Sequence, residues 1–285
     1  MNKLFSYFRS ICYDICSSLL SPRGILIVLA LLFFNYEYLT PLKDFAARYD
    51  VAFFPASLVF IFYELRFILV FGLLTVFLFG EVPYINERTK YTILRIGKRK
   101  WIVGKMIQIF LTSVIYMLTE FFVTLVFCGR HISFHDEWGK VWKTLSISAE
   151  TDNVLWVPRN ILIKYTPAEA LVRVFVMGCL VVTMIGLFML FLALLFSPII
   201  SLTFSGIVAV LPYVAGNTAY HYSYIFYFTP ASWIGIIEYS RTYVYGGPNS
   251  NEMLCILGMI MMVLVICNLF IVDRIDMMES KGELE

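Results

Sequence analysis

The feature that most constrains this chain is its series of long apolar segments separated by short polar ones. A segment of about 20 apolar residues crosses the hydrocarbon core of a membrane. Of the 285 residues, 60% are hydrophobic and 15% are charged, well above the near-even apolar share of soluble domains. The sequence predicts an all-α polytopic membrane protein with about six transmembrane helices, over residues 24–40, 57–80, 101–128, 171–196, 198–214 and 253–272.

Residues 3–20 precede the first predicted span and have a different pattern. Arg9 and Asp14 interrupt what would be the apolar core of a signal peptide. On a helical wheel at 100° per residue, Arg9 and Asp14 lie on one half, while Phe8 and Ile15 lie on the other half. We therefore expect an amphipathic elbow helix that lies along the membrane surface.

The distribution of basic residues predicts the orientation. The 81–100 segment is strongly basic, whereas the 130–169 segment has balanced charge. Basic loops stay in the cytoplasm, so we expect a multi-pass protein of the cell membrane with both termini cytoplasmic. Residues 43–56, 130–169 and 217–251 are then expected outside.

The 130–169 segment is the largest one predicted outside the membrane. Its Trp138, Trp142 and Trp156 are typical of anchors at the membrane interface. His131 and His135 are four residues apart, but their order is not that of a zinc peptidase. We expect a solvated loop there and no metal site.

A short helix is predicted within the basic segment. Asn86 suits its N-cap and Gly97 suits its end. The apolar side chains of Tyr91 and Leu94 favour a groove on a partner protein. The alternative is a loop that sets orientation and touches anionic lipid.

The motif in this segment resembles one known family. Glu87-Arg88, Thr92, Leu94, Gly97, Arg99 and Gly104-Lys105, followed directly by an apolar span, resemble the segment after the second helix in exporter-type permeases of the ATP-binding cassette (ABC) superfamily, type two. The elbow, the six spans and Pro230 to Trp233 are also similar to that family.

The resemblance implies a permease subunit whose coupling helix docks on a separate ABC ATPase subunit. ATP and Mg²⁺ would then bind the ATPase, and no cofactor would bind this chain. A second permease subunit would complete a homodimer or heterodimer, surrounded by membrane lipid. The substrate would be an amphipathic peptide, lipid or drug-like molecule. The ATPase-coupling residues would be Glu87, Arg88, Thr92, Leu94, Arg95, Lys98 and Arg99.

No ATP site is expected on this chain. Between Gly97 and Gly104-Lys105 there are six residues where a phosphate-binding loop has four, and Met106 follows instead of serine or threonine. The net charge of only +2 makes nucleic acid an unsuitable partner.

Four charged residues lie within the predicted spans or at their edges. Glu64, Arg66, Glu120 and Arg173 are placed at similar depth. Charged side chains within a membrane are unfavourable in free energy unless they form ion pairs or face a water-filled cavity. Arg66 with Glu120, or Glu64 with Arg173, could therefore form an intramembrane polar cluster. The alternative is that the long side chains reach the interface and pair structurally.

Two other functions remain open at the level of sequence. A membrane-embedded enzyme, such as an intramembrane hydrolase or a lipid-modifying transferase, would need Glu64, Glu120 and a histidine to converge. A scaffold without transport is the third possibility. The six cysteines fall in or beside apolar runs without a CxxC pair, and we expect them to pack rather than to form disulfides.

Overall fold

A computed structural model describes residues 12–84, 87–129, 132–133, 135–147, 155–218, 223–235 and 250–274. Over these residues the chain is an all-α membrane protein, as predicted. The first part of the elbow, the proposed cap Asn86, His131 and the C-terminal tail from 275 lie outside the described residues.

The helices follow one another along the chain with short connections. They are α1 (12–19), α2 (Pro22–Tyr49), α3 (Ser57–Ile61), α4 (Leu65–Leu78), α5 (Glu87–Ile96), α6 (Lys98–Cys128), α7 (Lys140–Ile147), α8 (Arg159–Lys164), α9 (Pro167–Leu195), α10 (Pro198–Thr218) and α11 (Ser250–Arg274), with 3₁₀ turns at Ser223–Phe228 and Pro230–Ile234. Of the described helices, α2, α6, α9, α10 and α11 are long and apolar enough to cross a membrane.

The second predicted span, 57–80, is interrupted. It consists of the 5-residue α3 and the 14-residue α4. Glu64 stands between them in extended conformation, as the residue before α4. Hydropathy does not detect this break, because the turn residues Phe62 and Tyr63 are large aromatic residues like their neighbours in the sequence. Both are buried in the structure. The described residues therefore contain five helices that are long and apolar enough to span a membrane, and a count of six is not confirmed.

Helix α2 extends well beyond the predicted first span. Residues 43–56 were expected to separate the first two spans outside the membrane, but the helix continues to Tyr49. Its buried positions keep the helical spacing through Leu42 and Ala46 while Lys43 is exposed. The helix ends where Asp50 adopts a left-handed conformation with φ 48°.

Helices α9 and α10 form a tight hairpin, in agreement with the predicted spans 171–196 and 198–214, which are separated by one residue. Ser197 Oγ accepts a hydrogen bond from the Ile200 N–H at 3.3 Å, and Pro198 occupies the first position of α10. At the other end of α9, Thr166 and Glu169 form a reciprocal capping box. Local capping chemistry thus sets the start of α9, which has the most buried apolar window of the candidate spanning helices, and the start of α10.

Side-chain contacts distinguish the two ends of the bundle. At the end that carries α5, Arg23 pairs with Glu81 at 3.4 Å. At the opposite end, which carries α7, the indole N–H of Trp142 donates to the Phe54 carbonyl at 2.9 Å. We refer to these as the α5 end and the α7 end.

The tryptophans at the α7 end differ from their predicted role as interfacial anchors. Trp142 is fully buried and its ring contacts Phe53 and Phe60. Trp138 is also buried and donates to the Tyr165 carbonyl at 2.7 Å. Only Trp156, with 38% exposure, retains a partly open surface among the three. The predicted outer segment therefore packs onto the bundle instead of resting on lipid at these two positions.

Candidate functional site

Helix α5 is the short helix predicted in the basic segment. It runs from Glu87 to Ile96 and ends at Gly97, whose N–H donates to the Ile93 carbonyl at 2.8 Å. Gly97 has φ 85° and ψ 152°, a conformation that side chains disfavour. The chain then enters α6 at Lys98, and the Trp101 N–H donates to the Gly97 carbonyl. Gly97 thus permits the sharp change of direction between α5 and α6.

One side of α5 holds it against the bundle. Ile93 is 4% exposed and belongs to the apolar core, and the partly buried Ile96 packs against the same core. Thr92, from the predicted coupling set, is also half-buried. These contacts attach α5 to the body of the protein.

The other side of α5 presents large apolar groups. Tyr91 is 70% exposed and Leu94 is 65% exposed, three residues apart on one face. Arg95 is exposed beside them. We call Tyr91, Leu94 and Arg95 the exposed face of α5. The side chains of Glu87 and Arg88 lie outside the described residues.

Arg99 contacts the chain itself. Its guanidinium forms a bidentate pair with the Asp273 carboxylate, with Nη2 to Oδ2 at 2.8 Å and Nε to Oδ1 at 3.0 Å. The pair joins the start of α6 to the end of α11 and is exposed to solvent. Asp273, which follows the predicted span 253–272, is part of α11. In this conformation Arg99 is therefore occupied, although it was predicted among the ATPase-coupling residues.

The four charges of the predicted intramembrane cluster have three different surroundings. Glu64 and Arg66 line an open cleft of about 310 Å³ between α2, α4 and α10, together with Tyr38 and Tyr213. Neither Arg66 with Glu120 nor Glu64 with Arg173 is among the ion pairs of the described residues. The predicted pairings are thus absent from this conformation.

Arg173 and Glu120 have other partners. Arg173 lies over the Tyr165 ring at 4.7 Å and donates to Ser250 Oγ at 3.3 Å. Glu120 is fully buried and accepts a hydrogen bond from Asn35 at 2.9 Å. Asn35 was not singled out from the sequence. A signal for it exists, since it is an amide in an apolar span, spaced four residues from the buried Leu31 and Leu39.

The described residues bring together no group of three or more histidine, cysteine, aspartate or glutamate side chains that could hold a metal ion. His135 is exposed in the connection before α7. In α10, the hydroxyl of Ser201 donates to the Met189 carbonyl of α9 at 2.6 Å and so ties the hairpin. These contacts are structural.

Comparisons of the chain with protein-family models, with curated proteins and with solved structures gave no match. Function is therefore inferred from the geometry of α5, from the buried Glu120 and from the motif resemblance in the basic segment.

Proposed function

We propose that this chain is the membrane-spanning permease subunit of an ATP-driven ABC exporter, and that α5 receives the ATPase. The observation that carries the proposal is the exposed face of α5. Its Tyr91 and Leu94 are far more exposed than Ile93 of the same helix. A short helix anchored on one side and apolar on the other is suited to a hydrophobic groove on a partner protein.

The connection between α5 and α6 supports mechanical coupling. Only Gly97 separates the two helices, and Ile93 keeps α5 packed on the bundle. An ATPase that binds α5 differently in its nucleotide-bound and nucleotide-free states would shift the equilibrium between conformations of the spanning helices. ATP and Mg²⁺ would act on the partner, and this chain would form the path for an amphipathic peptide, lipid or drug-like substrate.

The charge pattern supports a cytoplasmic location for the α5 end. Arg95, Lys98, Arg99 and Lys100 lie at this end, as do the start of α2 and the end of α11. Basic residues near span ends favour the cytoplasmic side, where an ATPase has access to ATP. A second permease subunit would pair with this one in the cell membrane.

The rival function, a membrane-embedded enzyme, has less support. Among the described residues, Glu120 is the only carboxylate that is fully buried. Its hydrogen-bond partner is the side-chain amide of Asn35. A general acid or base needs a reacting group within hydrogen-bond reach. Among the described residues Glu120 has neither a second carboxylate nor a histidine as a hydrogen-bond partner.

The proposal is tested by purifying the tagged full-length protein from gently solubilised membranes and identifying what accompanies it. We expect an ATPase subunit with a phosphate-binding loop at a stoichiometric ratio. If the folded protein is recovered repeatedly without any ATPase, the permease proposal is contradicted and the enzyme becomes the better explanation.

A further inference from the structure

The side chains of Asn35 and Glu120 meet between α2 and α6, inside the bundle. Both residues are 0% exposed. Asn35 Nδ2 donates to Glu120 Oε1 at 2.9 Å and to the Leu31 carbonyl, one turn earlier on α2, also at 2.9 Å. The amide nitrogen therefore uses both of its N–H bonds, one inside its own helix and one across the interface.

One oxygen of each side chain lacks a hydrogen bond. Asn35 Oδ1 and Glu120 Oε2 are both buried and have no donor among the described residues. Buried acceptors are nearly always satisfied in folded proteins, and leaving two together is unfavourable. An ionised carboxylate can only accept, whereas a protonated one supplies an O–H donor. One proton on Glu120 would provide the donor that Asn35 Oδ1 lacks.

Among the described residues, no cation on the surrounding buried faces offsets a charge on Glu120. The buried faces of α2, α3, α4 and α11 hold no ionisable side chain. Helix α9 contributes Cys179 to its buried face, and α6 itself contributes Tyr116 and Cys128. None of these groups is a cation. An unpaired carboxylate in such an interior is strongly disfavoured against its neutral form.

We propose that Glu120 is a proton-binding site, and that its protonated carboxyl forms a neutral acid–amide pair with Asn35. Oε1 accepts from Asn35 Nδ2, and the proton on Oε2 is donated to Asn35 Oδ1. The proton is taken from water as the chain folds. Both orphan oxygens are then satisfied, and two hydrogen bonds join α2 to α6 without a net charge.

The neighbouring groups close this site on the α4 side. Tyr116, one turn before Glu120, stacks on Phe71 with ring centroids 4.7 Å apart, and its hydroxyl lies 3.4 Å from the Phe71 carbonyl. Thr75 is fully buried beside them and donates to the same carbonyl at 2.8 Å. With these groups around it, Glu120 is 0% exposed in this conformation. The pair therefore acts as a tie between helices, and it does not depend on the proposed function.

Infrared spectroscopy of the purified full-length protein tests the protonation directly. With ¹³C-labelled glutamate, we expect the C=O stretch of a protonated glutamic acid at neutral pH, and its loss in Glu120→Gln. The matched control is Glu81→Gln, because Glu81 is exposed and paired with Arg23, so its removal should leave that band unchanged. Identical spectra for wild type and Glu120→Gln in this region would overturn the proposal.

Thermal unfolding in detergent gives an independent test of the pairing. Glutamine offers an acceptor oxygen and an NH₂ group in nearly the same geometry as the protonated acid, so Glu120→Gln should fold and melt near the wild type. Asn35→Leu, which leaves the acid without a partner, should melt well below it. The double variant Asn35→Leu with Glu120→Leu should recover part of that loss. Failure of Glu120→Gln to fold, or a double variant no more stable than Asn35→Leu, would contradict the neutral pair.

Discussion

Replacement of Leu94 by aspartate is expected to remove the ATPase from the purified protein. Leu94 is the aliphatic member of the exposed face of α5 and is 65% exposed. If it fills a groove on the ATPase, aspartate would place an unpaired carboxylate in an apolar contact. Loss of a central interface residue costs about 2 kcal/mol or more, which weakens binding more than roughly tenfold. The ratio of ATPase to tagged protein, before and after the substitution, measures the effect.

The matched control for this substitution is Ile163→Asp on α8. Ile163 is 74% exposed and also lies on a short helix, but it belongs to the segment predicted on the other side of the membrane. The same chemical change there should leave the ATPase bound. Equal retention of the ATPase by both variants would show that the exposed face of α5 is not the contact.

Replacement of Gly72 by leucine is expected to prevent normal packing of the bundle. A Cβ at Gly72 would lie 3.1 Å from the Ala209 carbonyl oxygen and 3.2 Å from its Cβ, so α4 and α10 approach closely at this point. Small residues permit such contacts between membrane helices. Overpacking usually costs about 1–3 kcal/mol, and here the obstructing atoms include backbone. We therefore expect a cost above that range and little monodisperse protein in detergent.

Leucine at Gly258 provides the comparison. This glycine lies in α11, where an added Cβ would meet nothing within 4 Å. Because glycine is a poor helix former, leucine there should leave the yield and the melting temperature unchanged or slightly improved. A normal yield for Gly72→Leu would mean that α4 and α10 do not pack as described.

Much of the fold could be predicted because long apolar helices are recognisable from the hydropathy of the sequence. Helices α6, α9, α10 and α11 begin and end within about four residues of the predicted spans, where charges, prolines or glycine interrupt the apolar run. The break before α4 could not be predicted, because Phe62 and Tyr63 in the turn are large aromatic residues like those of the adjoining helices. Both are buried in the bundle instead of exposed, as turn residues usually are.

Burial among packed helices also explains what the sequence did not reveal about the site. The capping residues Asn86 and Gly97 predicted α5, because helix caps depend on local sequence. The partnership of Asn35 with Glu120 joins residues 85 positions apart, and that of Arg99 with Asp273 joins residues 174 apart. Spacing along the chain carries no information on such contacts. The prediction that Trp142 lies at the membrane interface failed for the same reason: its burial against Phe53 and Phe60 depends on tertiary packing.

The most direct test of the central claim is photo-crosslinking from position 91 in intact membranes. A photoreactive phenylalanine analogue in place of Tyr91 keeps an aromatic ring on the exposed face of α5, and the same analogue at Ile163 serves as the reference. We predict a protein adduct from position 91 that contains an ABC ATPase, lost when Leu94 is also replaced by aspartate, and no such adduct from position 163. Adducts with lipid alone from position 91, in cells that contain the folded protein, would contradict a coupling role for α5 and favour a loop that rests on the membrane surface.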